Sequence, residues 1–246
     1  MPFTFSHPAI ILPFQKLNTR YLSMTGLIIG SLAPDFEYFI RMKMMGHCSH
    51  TALGVWVLDL PIAFIVAFLF HQIVKKPFIN HLPSYARTRL ETLRSFDFWN
   101  YFKSNWWIFL YSAIIGIYSH ILWDDFTHET GYFVQQFPFL QAHISMEILG
   151  KQPPVYWLLQ QGSTLIGGLF VAYFFHQQPK TSVPIQKINW KYWLFFIAIV
   201  ATIFSVRLWT LEKIIFGHFA VALISSVLLS LIISGITFRN IKNELD

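Results

Sequence analysis

Apolar residues run in five long stretches, 51–74, 106–126, 155–175, 192–209 and 214–238, separated by short polar connections. A helix needs roughly 20 mostly apolar residues to cross the hydrocarbon core of a bilayer, and each stretch is of that order. The pattern predicts an all-α, polytopic membrane helix bundle with five to six membrane-embedded helices. The sixth candidate, 22–40, carries Pro34, Asp35 and Glu37, so it is expected to be partly buried or re-entrant rather than lipid-facing. The connection 85–105 is charged and then aromatic. It reads as an amphipathic surface helix, or a loop, anchored by Phe96, Phe98, Trp99, Phe102, Trp106 and Trp107. The whole forms one integral-membrane domain over 1–246, with 1–176 bearing the motifs and 177–246 adding two C-terminal transmembrane helices.

Composition sharpens this picture. Of the 246 residues 54% are hydrophobic and only 12% charged, about half the charge of an average soluble domain. One cysteine, Cys48, excludes an internal disulfide framework and any cysteine-rich zinc finger. The net charge of +6 raises the question of nucleic acid, but the basic residues sit between apolar runs instead of gathering on one face, which sets that partner aside. The partner that remains is the lipid bilayer. The N-terminus lacks the features of a cleaved signal peptide, so Met1 is expected to stay.

Basic residues also set an orientation. Connection 75–103 carries Lys75, Lys76, Arg87, Arg89, Arg94 and Lys103, whereas 127–154 carries only Lys151. Connection 177–191 has Lys180, Lys187 and Lys191, and the C-terminal tail has Arg239 and Lys242. The basic connections read as cytoplasmic and 127–154 as extracytoplasmic. Arg41, Lys43, Lys16 and Arg20 count against this reading.

Ten histidines in so apolar a chain are the odd feature. Ionisable groups at membrane depth are costly unless paired, and they usually mark function. Most fall on one predicted side: His7, Asp35 and Glu37, His47 and His50, then His120, Asp124, Asp125 and His128, then His143 and Glu147. His120, Asp124 and His128 are four apart, so they can share one helix face. Two imidazoles and a carboxylate on one stripe suit Zn²⁺, with Mn or Fe as other divalent candidates. Asp35 and His50 could close that shell. His143 and Glu147 repeat the spacing and could hold a second ion with His128. A proton-bonded network joining helices is the competing reading of the same face. Glu37 and Asp125 are read as orienting a ligand histidine or capping a helix, and Asp59, beside Pro61, as a structural or supporting group. His47 is read as a loop residue without a ligand role. His71, His81 and His176 are expected to be solvated or snorkelling. Gly167-Gly168 is expected to permit close helix approach.

The stretches Phe3-Thr4-Phe5-Ser6-His7-Pro8, Ala33-Pro34-Asp35-Phe36-Glu37-Tyr38-Phe39, Ser49-His50-Thr51 and 119–128 (Ser-His-Ile-Leu-Trp-Asp-Asp-Phe-Thr-His) resemble a family of small prokaryotic membrane proteins of unknown function. That family in turn looks like inner-membrane metal-dependent hydrolases. The resemblance implies a multi-pass protein of a prokaryotic cytoplasmic membrane, with its site on the extracytoplasmic side. The ligand order is more distantly similar to the zinc-dependent phospholipase C and S1/P1 nuclease superfamily. That likeness implies one ion on Asp35, His50, His120 and Asp124, a second bridged by Asp124 to His7, and a third on His128, His143 and Glu147. The chain departs from the superfamily in having Met1 ahead of His7, where those enzymes use a freed N-terminal Trp. The expected function is a metal-dependent phosphoesterase acting on a phospholipid or lipid-linked substrate. Asp35 is its general base and Asp124 its bridging ligand. The alternatives are a scaffold with a structural metal, and a metal or proton transporter.

Overall fold

The computed structural model describes residues 3–16, 20–145, 147, 152–183, 188–211, 213 and 215–239. Met1, Lys151, Lys187 and Lys242 lie outside them. The described residues form helices and no strand. In chain order the α-helices are α1 (Met24–Leu32), α2 (Phe36–Arg41), α3 (Ala52–His81), α4 (Ser84–Ser95), α5 (Phe98–Thr127), α6 (Tyr132–Gln136), α7 (Pro138–Gln141), α8 (Val155–His176), α9 (Trp190–Thr210) and α10 (Phe216–Thr237). Five segments are long and apolar enough to cross a membrane: α3, Phe98–Gln136, α8, α9 and α10. The protein is an all-α polytopic membrane protein, and 22–40 folds as two short helices, α1 and α2, joined by a 3-10 turn at Ala33–Asp35.

Local chemistry explains the boundaries. Ser23 caps α1 by accepting from the Gly26 N–H at 3.2 Å, and Thr51 caps α3 by accepting from the Gly54 N–H at 2.9 Å. Pro61 and Pro77 each lack a donor, and in α3 each is preceded by a wide π turn, at Val55–Asp59 and Phe70–Val74. Asp97 accepts from the Asn100 N–H at 3.1 Å and starts α5 there. Asn105 is non-helical, with φ −133° and ψ 27°, and breaks α5 there, so Phe98, Trp99 and Phe102 lie on a short aromatic helix that precedes the long apolar part of α5.

Chain contacts divide the protein into two compact units. The first holds Met1–Asp35, Ser49–Ala63 and Asn105–Gln177, and carries all the residues of the motifs except Glu37 and its neighbours. Its core includes Ile11, Leu27, Val55, Ile108, Ala113, Ile117 and Val134. Here α1 lies directly on α5: a Cβ at Gly30 would stand 2.2 Å from the Ala113 carbonyl oxygen, and one at Gly116 only 2.3 Å from that of Leu27. Such backbone approach needs glycine, as in other membrane helix pairs. Gly167 meets the expectation placed on it, since a Cβ there would lie 2.9 Å from Ser6 Cβ.

The second unit holds Phe36–Cys48, Phe64–Ser104 and Gln178–Asp246. It is built on rings. Phe64, Phe68, Phe98, Trp99 and Phe102 pack with centroids 5.1–6.4 Å apart. His71 and His81 are not solvated, contrary to expectation. His71 stacks on Phe98 at 4.4 Å, and His81 stacks on Tyr192 at 4.2 Å while its Nδ1–H donates to the Pro77 carbonyl. The aromatic surroundings bury each imidazole body, which outweighs its preference for water. His176 is exposed, as expected.

Replacing Gly30 by leucine inserts a side chain where a bare Cβ already collides with main chain. The substitution is expected to cost about 3 kcal/mol or more and to lower the thermal unfolding midpoint in detergent, whereas Gly162→Leu, where a Cβ meets open space, leaves it unchanged.

Candidate functional site

The cluster is assembled by four segments of the first unit. The N-terminal 3-10 helix Thr4–Ile10 brings Thr4 and His7, three apart, onto one edge, as three residues per turn require. The 3-10 turn after α1 supplies Asp35, the residues before α3 supply His50, and α5 supplies His120 and Asp124 one turn apart. His7, Asp35, His120 and Asp124 are all buried. His50 is held at a φ of 66°, a left-handed conformation unusual for histidine, which points to a site that dictates its placement.

Three ligand atoms form an equilateral triangle. His50 Nε2 to His120 Nε2 is 3.3 Å, and each of those nitrogens is 3.3 Å from Asp124 Oδ2. Tetrahedral zinc, with bonds of about 2.0–2.1 Å, sets neighbouring donors about 3.3 Å apart. Asp35 Oδ1 stands over this triangle, 3.7 Å from His120 Nε2 and 3.9 Å from His50 Nε2. The other oxygen of Asp124, Oδ1, turns to His7 Nε2 at 3.6 Å. A second triad of possible ligands is His7, Asp35 and His120.

Protonation follows from the outer contacts. His120 Nδ1 lies 2.8 Å from the Ser31 carbonyl oxygen, which can only accept, so Nδ1 carries the proton and in the neutral ring Nε2 offers a lone pair. Thr4 Oγ1 donates to Asp35 Oδ2, which aims the other carboxylate oxygen at the histidines. His7 stacks on His120 with centroids 3.7 Å apart. Burial, with His120 next in effect, holds the His7 imidazole well below its ordinary pKa, so it is neutral. Burial pushes the Asp35 carboxyl up, against the pull of His120.

A purely proton-bonded network accounts poorly for this arrangement. Both His7 nitrogens, Asp35 Oδ1 and Asp124 Oδ1 are buried with no hydrogen-bond partner among the described residues, and an unmade buried hydrogen bond costs about 1–3 kcal/mol. Carboxylate oxygens of Asp35 and Asp124 that face the ring nitrogens of His7, His50 and His120 from 3.3 to 3.9 Å fit a cation. The chain belongs to DUF4184, a family described as a domain of unknown function, whose model matches residues 1–236. No curated protein and no solved structure matches it.

The remaining expected residues are placed as follows. His128 flanks Asp124, with Nδ1 at 3.5 Å from Oδ1, but that nitrogen also faces the Asp124 main-chain carbonyl at 3.1 Å, and His128 joins neither triad. His143 and Glu147 are both exposed and outside the triads. The reason is local: α7 ends at Gln141 and Ala142 is extended, so the helical periodicity stops before His143. His143 instead donates to the Gln152 carbonyl at 2.6 Å. Asp125 caps α6 by accepting from the Tyr132 N–H at 3.1 Å, and no contact ties it to a ligand histidine. Glu37, in the second unit, accepts from the backbone N–H groups of His47 and Cys48 and from Arg41. Through these main-chain bonds it holds the His47–Cys48 stretch. Asp59 is fully buried in α3 outside both triads, and His47 is exposed. Sequence reasoning missed Thr4 and Ser31. Thr4 was legible as the residue three before His7, but the Ser31 contribution is a carbonyl that any residue could supply.

Purified protein is expected to carry zinc by elemental analysis, and His120→Ala to lose it. Thr4→Val should weaken the affinity about 10–100-fold in a chelator competition, while His143→Ala keeps it.

Proposed function

We propose that the protein is a membrane-embedded, metal-dependent hydrolase that cleaves a phosphoester of a lipid or lipid-linked substrate with a metal-activated water. The observation that carries this reading is the 3.3 Å triangle of His50 Nε2, His120 Nε2 and Asp124 Oδ2, capped by Asp35 Oδ1. Zinc held there would lower the pKa of a coordinated water to about 7 and polarise a phosphoryl oxygen.

The chain's own residues then have separate tasks. Asp35 Oδ1 takes the proton of the attacking water, with Oδ2 fixed by Thr4 so that the free oxygen keeps its direction. Asp124 divides its two oxygens between the triangle and His7, the geometry of a bridging carboxylate. Neutral His7 would offer a nitrogen to a second ion.

A lipid substrate is supported by what adjoins His7. A cavity of about 340 Å³ is lined by Ser6, His7, Ile10, Trp123, Leu158 and Ile166 among others, and it is apolar apart from His7 and two serines. Its α8 wall carries Leu159 and Ile166, 40% and 69% exposed on a membrane-crossing helix. A hydrocarbon chain suits that lining, with the ester at the ligand cluster. In this reading the site opens on the extracytoplasmic side of a prokaryotic cytoplasmic membrane.

A structural metal is the second reading. It is favoured by the origin of the four donors in three segments, since an ion there would tie those segments together, and closed four-ligand coordination would leave no position for water.

Zinc-loaded protein in phospholipid vesicles is expected to release a phosphorylated headgroup. Asp35→Asn should slow that release about 10²–10⁴-fold. Stoichiometric zinc with no hydrolysis of any phospholipid would leave the structural reading standing, and absence of bound Zn, Mn or Fe would sink both.

A further inference from the structure

A second cavity lies in the second unit, where the turn between α9 and α10 meets the loop after α2. It measures about 210 Å³ and is lined by Lys43, Arg207, Thr210, Leu211, Lys213 and His218. Three cations, a hydroxyl and an imidazole supply donors, and no carboxylate lines it among the described residues. None of Lys43, Arg207 and Lys213 forms an ion pair with a described residue. The neighbouring cation, Arg41, pairs with Glu37 at 2.9 Å, whereas the three in the cavity have no carboxylate partner among the described residues, which do not include Glu212.

The walls are fixed by their own bonds. Arg207, in the last turn of α9, donates from Nε to the Met42 carbonyl at 3.1 Å and from Nη1 to Thr210 Oγ1 at 3.2 Å. Both acceptors are neutral, so they hold the guanidinium without cancelling its charge. Met42 takes a φ of 50°, a left-handed turn that closes α2 and sends Lys43 into the lining. Opposite, His218 Nδ1 accepts from the Met44 N–H at 3.2 Å, which leaves the proton of the neutral ring on Nε2 as a donor. Met44 is pressed onto α10: a Cβ at Gly217 would fall 2.4 Å from its Sδ.

Like charges held together in one small cavity repel unless an anion joins them. Point-charge lysines, a planar guanidinium and a hydroxyl together match the oxygens of a phosphate. The cavity sits where two membrane-crossing helices end, flanked by Trp209 and Phe216 at 89% and 87% exposure. Aromatic residues in that position mark the headgroup level of a bilayer. We propose that this cavity binds a phosphate group, carried by an anionic lipid headgroup or present as free phosphate.

The test uses the full chain in nanodiscs. One arm contains phosphatidylglycerol and reads lipid retained with the protein by native mass spectrometry. The other contains phosphatidylcholine alone and is titrated calorimetrically with inorganic phosphate. Lys43→Ala/Lys213→Ala is expected to weaken binding about tenfold or more in the arm that binds, since each basic residue contributes at a charged membrane surface. Retention of phosphatidylglycerol that the variant loses assigns a lipid headgroup, and phosphate binding that it loses assigns free phosphate. Either result supports the site. Binding in neither arm, or binding that the substitutions leave unchanged, overturns it. Lys213→Gln, at an exposed position, serves as the second variant if the double substitution unfolds.

Discussion

Removing Asp35 and Asp124 from water is the constraint on which the first unit turns. A carboxylate in an apolar interior needs compensation by hydrogen bonds or positive charge, or it does not stay ionised. Asp35 receives one hydroxyl, from Thr4, while Asp124 Oδ2 faces the Nε2 atoms of His50 and His120, each at 3.3 Å. The oxygens left over, Asp35 Oδ1 and Asp124 Oδ1, point into the space shared by the rings of His7, His50 and His120. They face those rings at 3.6–3.9 Å, longer than charge-assisted hydrogen bonds. The same demand explains the glycines. Ser31 reaches His120 only because α1 comes within main-chain contact of α5, and Gly30 and Gly116 permit that approach.

The helices were legible because lipid and length select them. Five apolar runs became five membrane-crossing helices, with ends moved by groups that a hydropathy pattern misreads. Lys75 reads as a terminus, yet it is buried with Nζ donating to the Phe96 carbonyl, so α3 runs on to His81. His71 and His81 read as polar ends, but aromatic faces accept an imidazole as readily as another ring. In the site, spacing worked where the chain was helical. His120 and Asp124 share a face as 3.6 residues per turn requires. It failed at His143 and Glu147, since none of the described residues between α7 and α8 is helical and periodicity carries no information there. Contributions made through main chain, such as the Ser31 carbonyl or the amides that Glu37 holds, leave no mark in side-chain identity.

The two cavities have opposite chemistry. One is apolar and ends on His7, while the other is lined by Lys43, Arg207 and Lys213 with no carboxylate among the described residues. Their linings suit the two parts of an amphiphile, its chain and its phosphate. In a chain with only 12% charged residues, three cations around one small space are a concentration of charge.

The N-terminal 3-10 helix shows how tightly the ligand cluster is tied to its surroundings. With three residues per turn, Thr4 and His7 share an edge and reach Asp35 and Asp124. Ser6, one position earlier, faces another way: its hydroxyl donates to the Thr164 carbonyl at 2.9 Å and its Cβ occupies the space that Gly167 leaves open. The Phe3 N–H adds a bond to Thr164 Oγ1 at 3.0 Å. The contacts with α8 thus fix the rotation of the segment, and that rotation aims His7. An α-helix of the same sequence would advance 100° per residue instead of 120° and move Thr4 and His7 off a common edge. The short, tight helix is the conformation in which one stretch of chain can grip α8 and complete the ligand cluster together.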